Sequence, residues 1–204
     1  MPLHITGDKA VDKLLSDEPL ALVIAMVLDQ QVPLERAFRS PFDLKERLGK
    51  LDAADLASMD PEALAEVFSA RPALHRFPKS MAGRVQEVCR IIVDTYGGDA
   101  ARIWKSADTG KELLANVEAL PGFGKQKARI FVALLGKQLG VCPPGWEKAS
   151  TPYGQAGSFH SVADIDSPEA LGKVREYKQR MKAKAKAGAT TAPPRRRAGA
   201  SKSG

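Results

Sequence analysis

An all-α fold, a helix bundle followed by a basic C-terminal tail, is what the sequence predicts. Three observations carry this. Apolar residues recur at helical spacing through most of the first 140 residues. Proline, acidic residues and glycine stand where helices start and stop. Little of the chain alternates with the two-residue period of a strand. At 204 residues the chain is long enough for one domain with a real core plus a tail.

The elements follow in order. "SDEPLALVIAMVLDQQ" opens with acids and Pro19 and then runs apolar on every side, which predicts a helix at the centre of the bundle. "PLERAFRSPFDLKERLG" predicts two short helices, broken at Ser40–Pro41 and closed by Gly49. In "MDPEALAEVFSA", Asp60 is the expected N-cap and Pro61 the first helical residue. "PKSMAGRVQEVCRIIVDTYGGD" spaces Met81, Val85, Val88, Ile91 and Ile92 for one buried face, and Gly97–Gly98 stop it. "GKELLANVEAL" and "KQKARIFVALLGKQLG" are two further helices. Between them lies "PGFG".

Past Gly140 the composition shifts. The segment 140–166 is rich in Pro, Gly and Ser and is expected to lie irregularly over the bundle. Ser167–Pro168–Glu169 opens a final amphipathic helix, expected over 167–187. The domain is therefore 1–187, with a disordered, low-complexity basic tail at 188–204. Residues 173–204 hold eleven Lys or Arg and one acid, Glu176, a net +10; residues 1–172 are at −3. That asymmetry suits an anionic polymer or surface, or a tail that only aids solubility. The two cysteines, Cys89 and Cys142, give neither a disulfide framework nor a zinc site. No signal-peptide layout opens the chain, and "PLALVIAMVL" is too short to cross a bilayer. A cytoplasmic, nucleoid-associated monomer with no membrane contact is expected.

The turn "LPGFGKQKA", Leu120–Ala128, carries the functional signal. Gly122 and Gly124 can take positive φ and lack a Cβ, so their backbone can approach a ligand closely. The helix that starts at about Gly124 offers free N–H groups and a positive dipole end. Lys125 and Lys127 add charge, and Phe123 anchors the tip. This assembly suits a phosphate of a nucleic-acid backbone, bound without sequence preference. The plainer reading is an αα-hairpin with solvated lysines.

"ALPGFGKQKARIFVALLG" resembles the helix-hairpin-helix motif (hairpin motif 110–139 here) of the endonuclease III-like, helix-hairpin-helix-GPD superfamily of DNA glycosylases. "LALVIAMVLDQQVPLERAF" is similar to the early helix of that family, which ends in a Gln pair, and the likeness spans about residues 15–140. The resemblance implies base-excision repair on double-stranded DNA with the target base flipped out of the stack. It implies phosphate contacts at the backbone amides around Gly122, Gly124 and Lys125, and with Phe123 and Lys127 these make up the expected DNA-binding hairpin. Gln30 and Gln31 become the wedge or readers of the orphaned base. A monovalent cation can sit in such a hairpin on carbonyls, here near Glu118, Leu120 and Phe123.

Three departures qualify the likeness. The place of the nucleophilic lysine of bifunctional members is taken by Gln126, and an amide forms no Schiff base. No Asp stands where the family carries its catalytic aspartate. Glu147 is the one acid in "CPPGWEKAS", and Asp164 (with Asp166) follows in "SVADID"; Glu147 and Asp164 are the candidate catalytic carboxylates. Two cysteines cannot supply the four thiolates of an iron–sulfur cluster, so no cofactor is expected. Trp146 is the candidate for stacking on the flipped base, and buried packing is expected of Trp104. The reading is a monofunctional DNA N-glycosylase, with a non-catalytic DNA-binding protein of the same fold as the alternative. A helical bundle for protein interaction is the third possibility.

Overall fold

The computed structural model describes residues 3–190. Its helices are α1 (Lys9–Asp17), α2 (Pro19–Leu28), α3 (Leu34–Leu48), α4 (Ala53–Ser58), α5 (Pro61–Ser69) and α6 (Pro78–Tyr96), then α7 (Arg102–Lys105), α8 (Gly110–Glu118), α9 (Lys125–Leu139), α10 (Trp146–Ala149) and α11 (Pro168–Thr190). A 3-10 turn covers Val162–Asp164, and no strand occurs among the described residues.

α2 is the central helix. Pro19 starts it, and every residue from Ala21 to Leu28 is buried. α3 packs along one side of it, and α6 lies against α4 and α5. α5 begins as its sequence dictates: the Asp60 carboxylate accepts from the N–H groups of Glu62 and Ala63, with Pro61 at the first position. α6 buries Met81, Val85, Val88 and Ile92, leaves Ile91 half-buried, and ends at Gly97 with φ +62°. A reciprocal capping box between Thr109 and Glu112 starts α8.

α3 departs from expectation. It is one continuous helix of 15 residues with Pro41 inside it. An interior proline removes a backbone bond at a cost of about 3 kcal/mol. Here Ala37, Phe38, Pro41 and Leu44 form a single buried stripe, and packing that stripe on the core offsets the loss. The Ser40 hydroxyl lies 2.7 Å from the Arg36 carbonyl and 2.6 Å from that of Leu74, which pins this turn to the loop before α6. Three short helices, α1, α4 and α7, add to the expected set ahead of the hairpin; Asp8 and Asp52 cap the first two.

The segment 140–166 lies over α8 and α9 and includes α10 and the 3-10 turn. Gly110 N–H donates to the Pro144 carbonyl at 2.9 Å. α11 continues to Thr190, three residues past its expected end at 187. The rest of the expected tail, 191–204, lies outside the described residues.

Candidate nucleic-acid interface

The hairpin joins α8 to α9. Phe123 N–H closes the turn on the Leu120 carbonyl at 3.1 Å. Gly122 takes φ +86°, and a Cβ there would stand 2.7 Å from Arg84 Cδ. Both its backbone angle and the neighbouring Arg84 chain therefore call for glycine. Phe123 is buried and packs on Phe131, ring centroids 5.6 Å apart. Gly124 precedes α9 at φ −72°, and no side chain caps the helix. The leading N–H groups of α9 consequently point outward from its positive end. A Cβ on Gly124 would meet nothing within 4 Å.

The two lysines separate. Lys125 is exposed at the start of α9. Lys127 turns inward: its ammonium donates to the carbonyls of Met26 at 2.9 Å and Val27 at 3.3 Å. It caps the C-terminal end of α2, a favourable place for a cation, and so is not free for a phosphate as expected. Burial pushes its pKa down, Asp29 pulls it up, and Arg84 pushes it down, the net direction being down. Arg84, which no sequence signal marked, reaches over Gly122 to within 3.4 Å of the Gln30 amide oxygen. Arg84 and Lys125 are the cations that flank the open N-terminus of α9.

The two glutamines also differ. Gln30 is built into the fold. Its amide nitrogen donates to the Val27 carbonyl at 2.9 Å and lies 3.2 Å from Met81 Sδ. Its own carbonyl accepts from His75 Nε2 at 3.0 Å. The His75 ring nitrogen Nδ1 accepts from Phe77 N–H at 3.0 Å, so Nε2 carries the proton. Burial pushes the His75 pKa down, toward the neutral ring. Gln31 is exposed and holds φ +56°, a left-handed backbone that costs a non-glycine residue about 1–2 kcal/mol. Strain of that kind gathers where a chain presents a side chain for function. Phe77, 42% exposed, stands two residues from His75 with the Arg76 guanidinium 5.3 Å above its ring.

Between the end of α2 and the hairpin opens a cleft of about 490 Å³. Met26 and Ile130 form its apolar part, and Gly122, Gly124, Lys125 and Gln126 its hairpin side. Asp29, Gln30 and Lys127 complete the lining. Asp29 was not among the residues expected here. It is the C-cap of α2 and half-buried, and its carboxylate accepts no hydrogen bond from a described residue. Burial pushes its carboxyl above the usual carboxylate range, against the pull of Lys178 and Lys127.

The other expected residues lie elsewhere. Gln126, in the place of a nucleophilic lysine, donates from its amide to the Tyr153 hydroxyl at 2.9 Å. Glu147, Asp164 and Trp146 line a second cleft of about 350 Å³ beside Lys137. Lys137 stands thirteen residues along α9 from Gly124, which is about 20 Å at the helical rise. Asp164 is held tightly. It pairs with Lys137 at 2.5 Å and accepts from Ser158 Oγ and from the N–H groups of His160 and Ser161. With those lone pairs engaged it serves the fold of the segment, not a reaction at the hairpin. Trp146 lies on α9, where a Cβ on Gly136 would stand 2.4 Å from its ring. It straps the segment to the bundle, away from the hairpin cleft. Trp104 is buried edge-on to Phe131, centroids 6.1 Å apart.

A family model described as HhH-GPD superfamily base excision DNA repair protein matches residues 24–187, which takes in the Gln loop, the hairpin and most of α11. No curated protein matches the chain.

Proposed function

As the chain belongs to the HhH-GPD superfamily of base excision DNA repair proteins, we propose that it is a monofunctional DNA N-glycosylase. Its substrate is a damaged or mismatched base flipped out of double-stranded DNA. The observation that carries this reading is the cleft between α2 and the hairpin. At about 490 Å³ it falls within the range of small-ligand sites, and it joins a carboxylate and amides to the open end of α9.

The geometry supports the following roles. The outward N–H groups at Gly124 and Lys125 take a backbone phosphate, with Arg84 and Lys125 supplying charge. Gln31, exposed and strained, enters the gap left by the flipped base, and Gln30 with His75 holds the loop that presents it. Phe77 offers a second apolar wedge beside that loop. Lys127 does not act as an imine-forming amine, because both its bonds tie it to α2 as an ammonium. Water is then the nucleophile. The two cysteines, one of them buried in α6, cannot hold a four-thiolate cluster, and the reading needs none.

The test is a panel of duplexes carrying deaminated, alkylated or oxidised bases. The expected result is release of free base from at least one, an abasic site cut only after alkali, and no adduct trapped by borohydride. Binding without release from any member would instead establish the non-catalytic DNA-binding alternative.

A further inference from the structure

We propose that Asp29 is the carboxylate that drives base release in this protein, accepting the proton of the water that attacks the sugar. This inference rests on the glycosylase reading and assigns that reaction to a residue outside both expected candidates.

Three features of Asp29 oppose stability and none repays it within the fold. It stands at the C-terminal end of α2, where the helix dipole disfavours a negative charge. It is half-buried, which disfavours its ionised form. Its carboxylate has no hydrogen-bond partner among the described residues, so what burial removes of its hydration no described group replaces. The acids elsewhere contrast with it. Asp8, Asp52 and Asp60 cap helices, Asp12 holds the Thr6 turn, and Asp164 is engaged by four donors.

Its position is equally specific. Asp29 faces the cleft beneath the N-terminus of α9, the site where phosphate recognition calls for positive charge. A carboxylate there weakens DNA binding through repulsion, so binding alone does not account for it. Chemistry does. In hydrolysis of an N-glycosidic bond, the bond from C1′ to the base nitrogen breaks and its electron pair leaves with the base. Water oxygen bonds to C1′. The proton that water loses passes to Asp29, which returns it to solvent or to the departing base. While the bond breaks, the ionised carboxylate also faces the positive charge that grows on the sugar. Burial pushes the Asp29 carboxyl upward, and the cations near it, Lys178 from α11 and Lys127 from α9, pull against that push toward the ionised form.

The experiment compares wild type with Asp29→Asn, a substitution of the same size, on a lesion that the wild type excises. Single-turnover base release is expected to fall about 100-fold or more. Duplex affinity is expected to hold or to tighten, because a negative charge facing the DNA is gone. The wild-type rate is expected to fall on the acid side with a midpoint above 3.8, the ordinary Asp value, and this measurement needs no substitution. Asp29→Asn releasing base at the wild-type rate would overturn the assignment and leave the glycosylase reading standing. Loss of duplex binding in parallel with release would also overturn it, by making Asp29 a binding residue. A wild type that released no base from any lesion would remove the glycosylase reading itself and this assignment with it.

Discussion

Replacing Gly124 by glutamate separates DNA contact from folding. Gly124 sits at φ −72°, an ordinary angle for any residue, and a Cβ there meets nothing within 4 Å. The fold has no objection to a side chain at this position, so stability should change by no more than about 0.5 kcal/mol. The binding site does object. A carboxylate at the start of α9 stands about 5 Å from a phosphate docked on the N–H groups. Two like charges at that distance repel by about 1–3 kcal/mol across the range from water to protein surface. Affinity for duplex DNA should therefore drop about 5- to 150-fold. Fluorescence anisotropy with a labelled duplex, run from low to physiological salt, reads this directly. The slope of log affinity against log salt should shrink by about one phosphate contact. Wild-type affinity and slope in Gly124→Glu, with melting unchanged, would refute the hairpin as the phosphate site.

Other outcomes follow from the same geometry. Asp164→Ala should destabilise the protein by about 3–5 kcal/mol, because the largely buried Lys137 ammonium would lose its counter-charge and keep only the Gln155 carbonyl and the Ser158 hydroxyl. That corresponds to a melting temperature lower by about 6–20 °C. Gln31→Gly should relieve the left-handed backbone and stabilise by about 0.5–1 kcal/mol net of the added chain entropy, while base release falls about tenfold or more for want of the wedge. Asp29 has a folded pKa above its unfolded one. Between the two values the native state binds more protons, so its contribution to stability falls as pH rises through that window and the full cost remains above it. Asp29→Asn should accordingly melt higher at neutral pH, by about 2–4 °C for a gain near 1 kcal/mol, and equal the wild type below about pH 3.8, where both side chains are neutral.

The parts of the fold that could be read from the sequence are those whose cause is local. Asp60–Pro61 announces the start of α5 because the cap bonds span only three residues. The apolar run after Pro19 announces a central helix because no exposed face is left to it. Gly122 marked the hairpin because its positive φ is a property of the turn alone. Pro41 misled because its local penalty is outweighed by a buried stripe that only the packed core makes visible. Of the residues that line the hairpin cleft, Gly124 and Lys125 could be read from the sequence and Asp29 could not. That aspartate reads as a polar helix end in "LDQQ", and its place in a cleft depends on α9 returning about 100 residues later to close over it. Lys127 reads as a phosphate ligand until the end of α2 is seen to accept both its bonds. Trp146, Glu147 and Asp164 stand out in the sequence by chemical type, but they line a cleft at the far end of α9.

The most direct measurement is the rate of base release from one excised lesion by three proteins: wild type, Asp29→Asn and Glu147→Gln. If the chemistry lies in the hairpin cleft, Glu147→Gln releases base at the wild-type rate and Asp29→Asn about 100-fold more slowly or not at all. Release abolished in Glu147→Gln and intact in Asp29→Asn would place the chemistry in the second cleft and contradict the account.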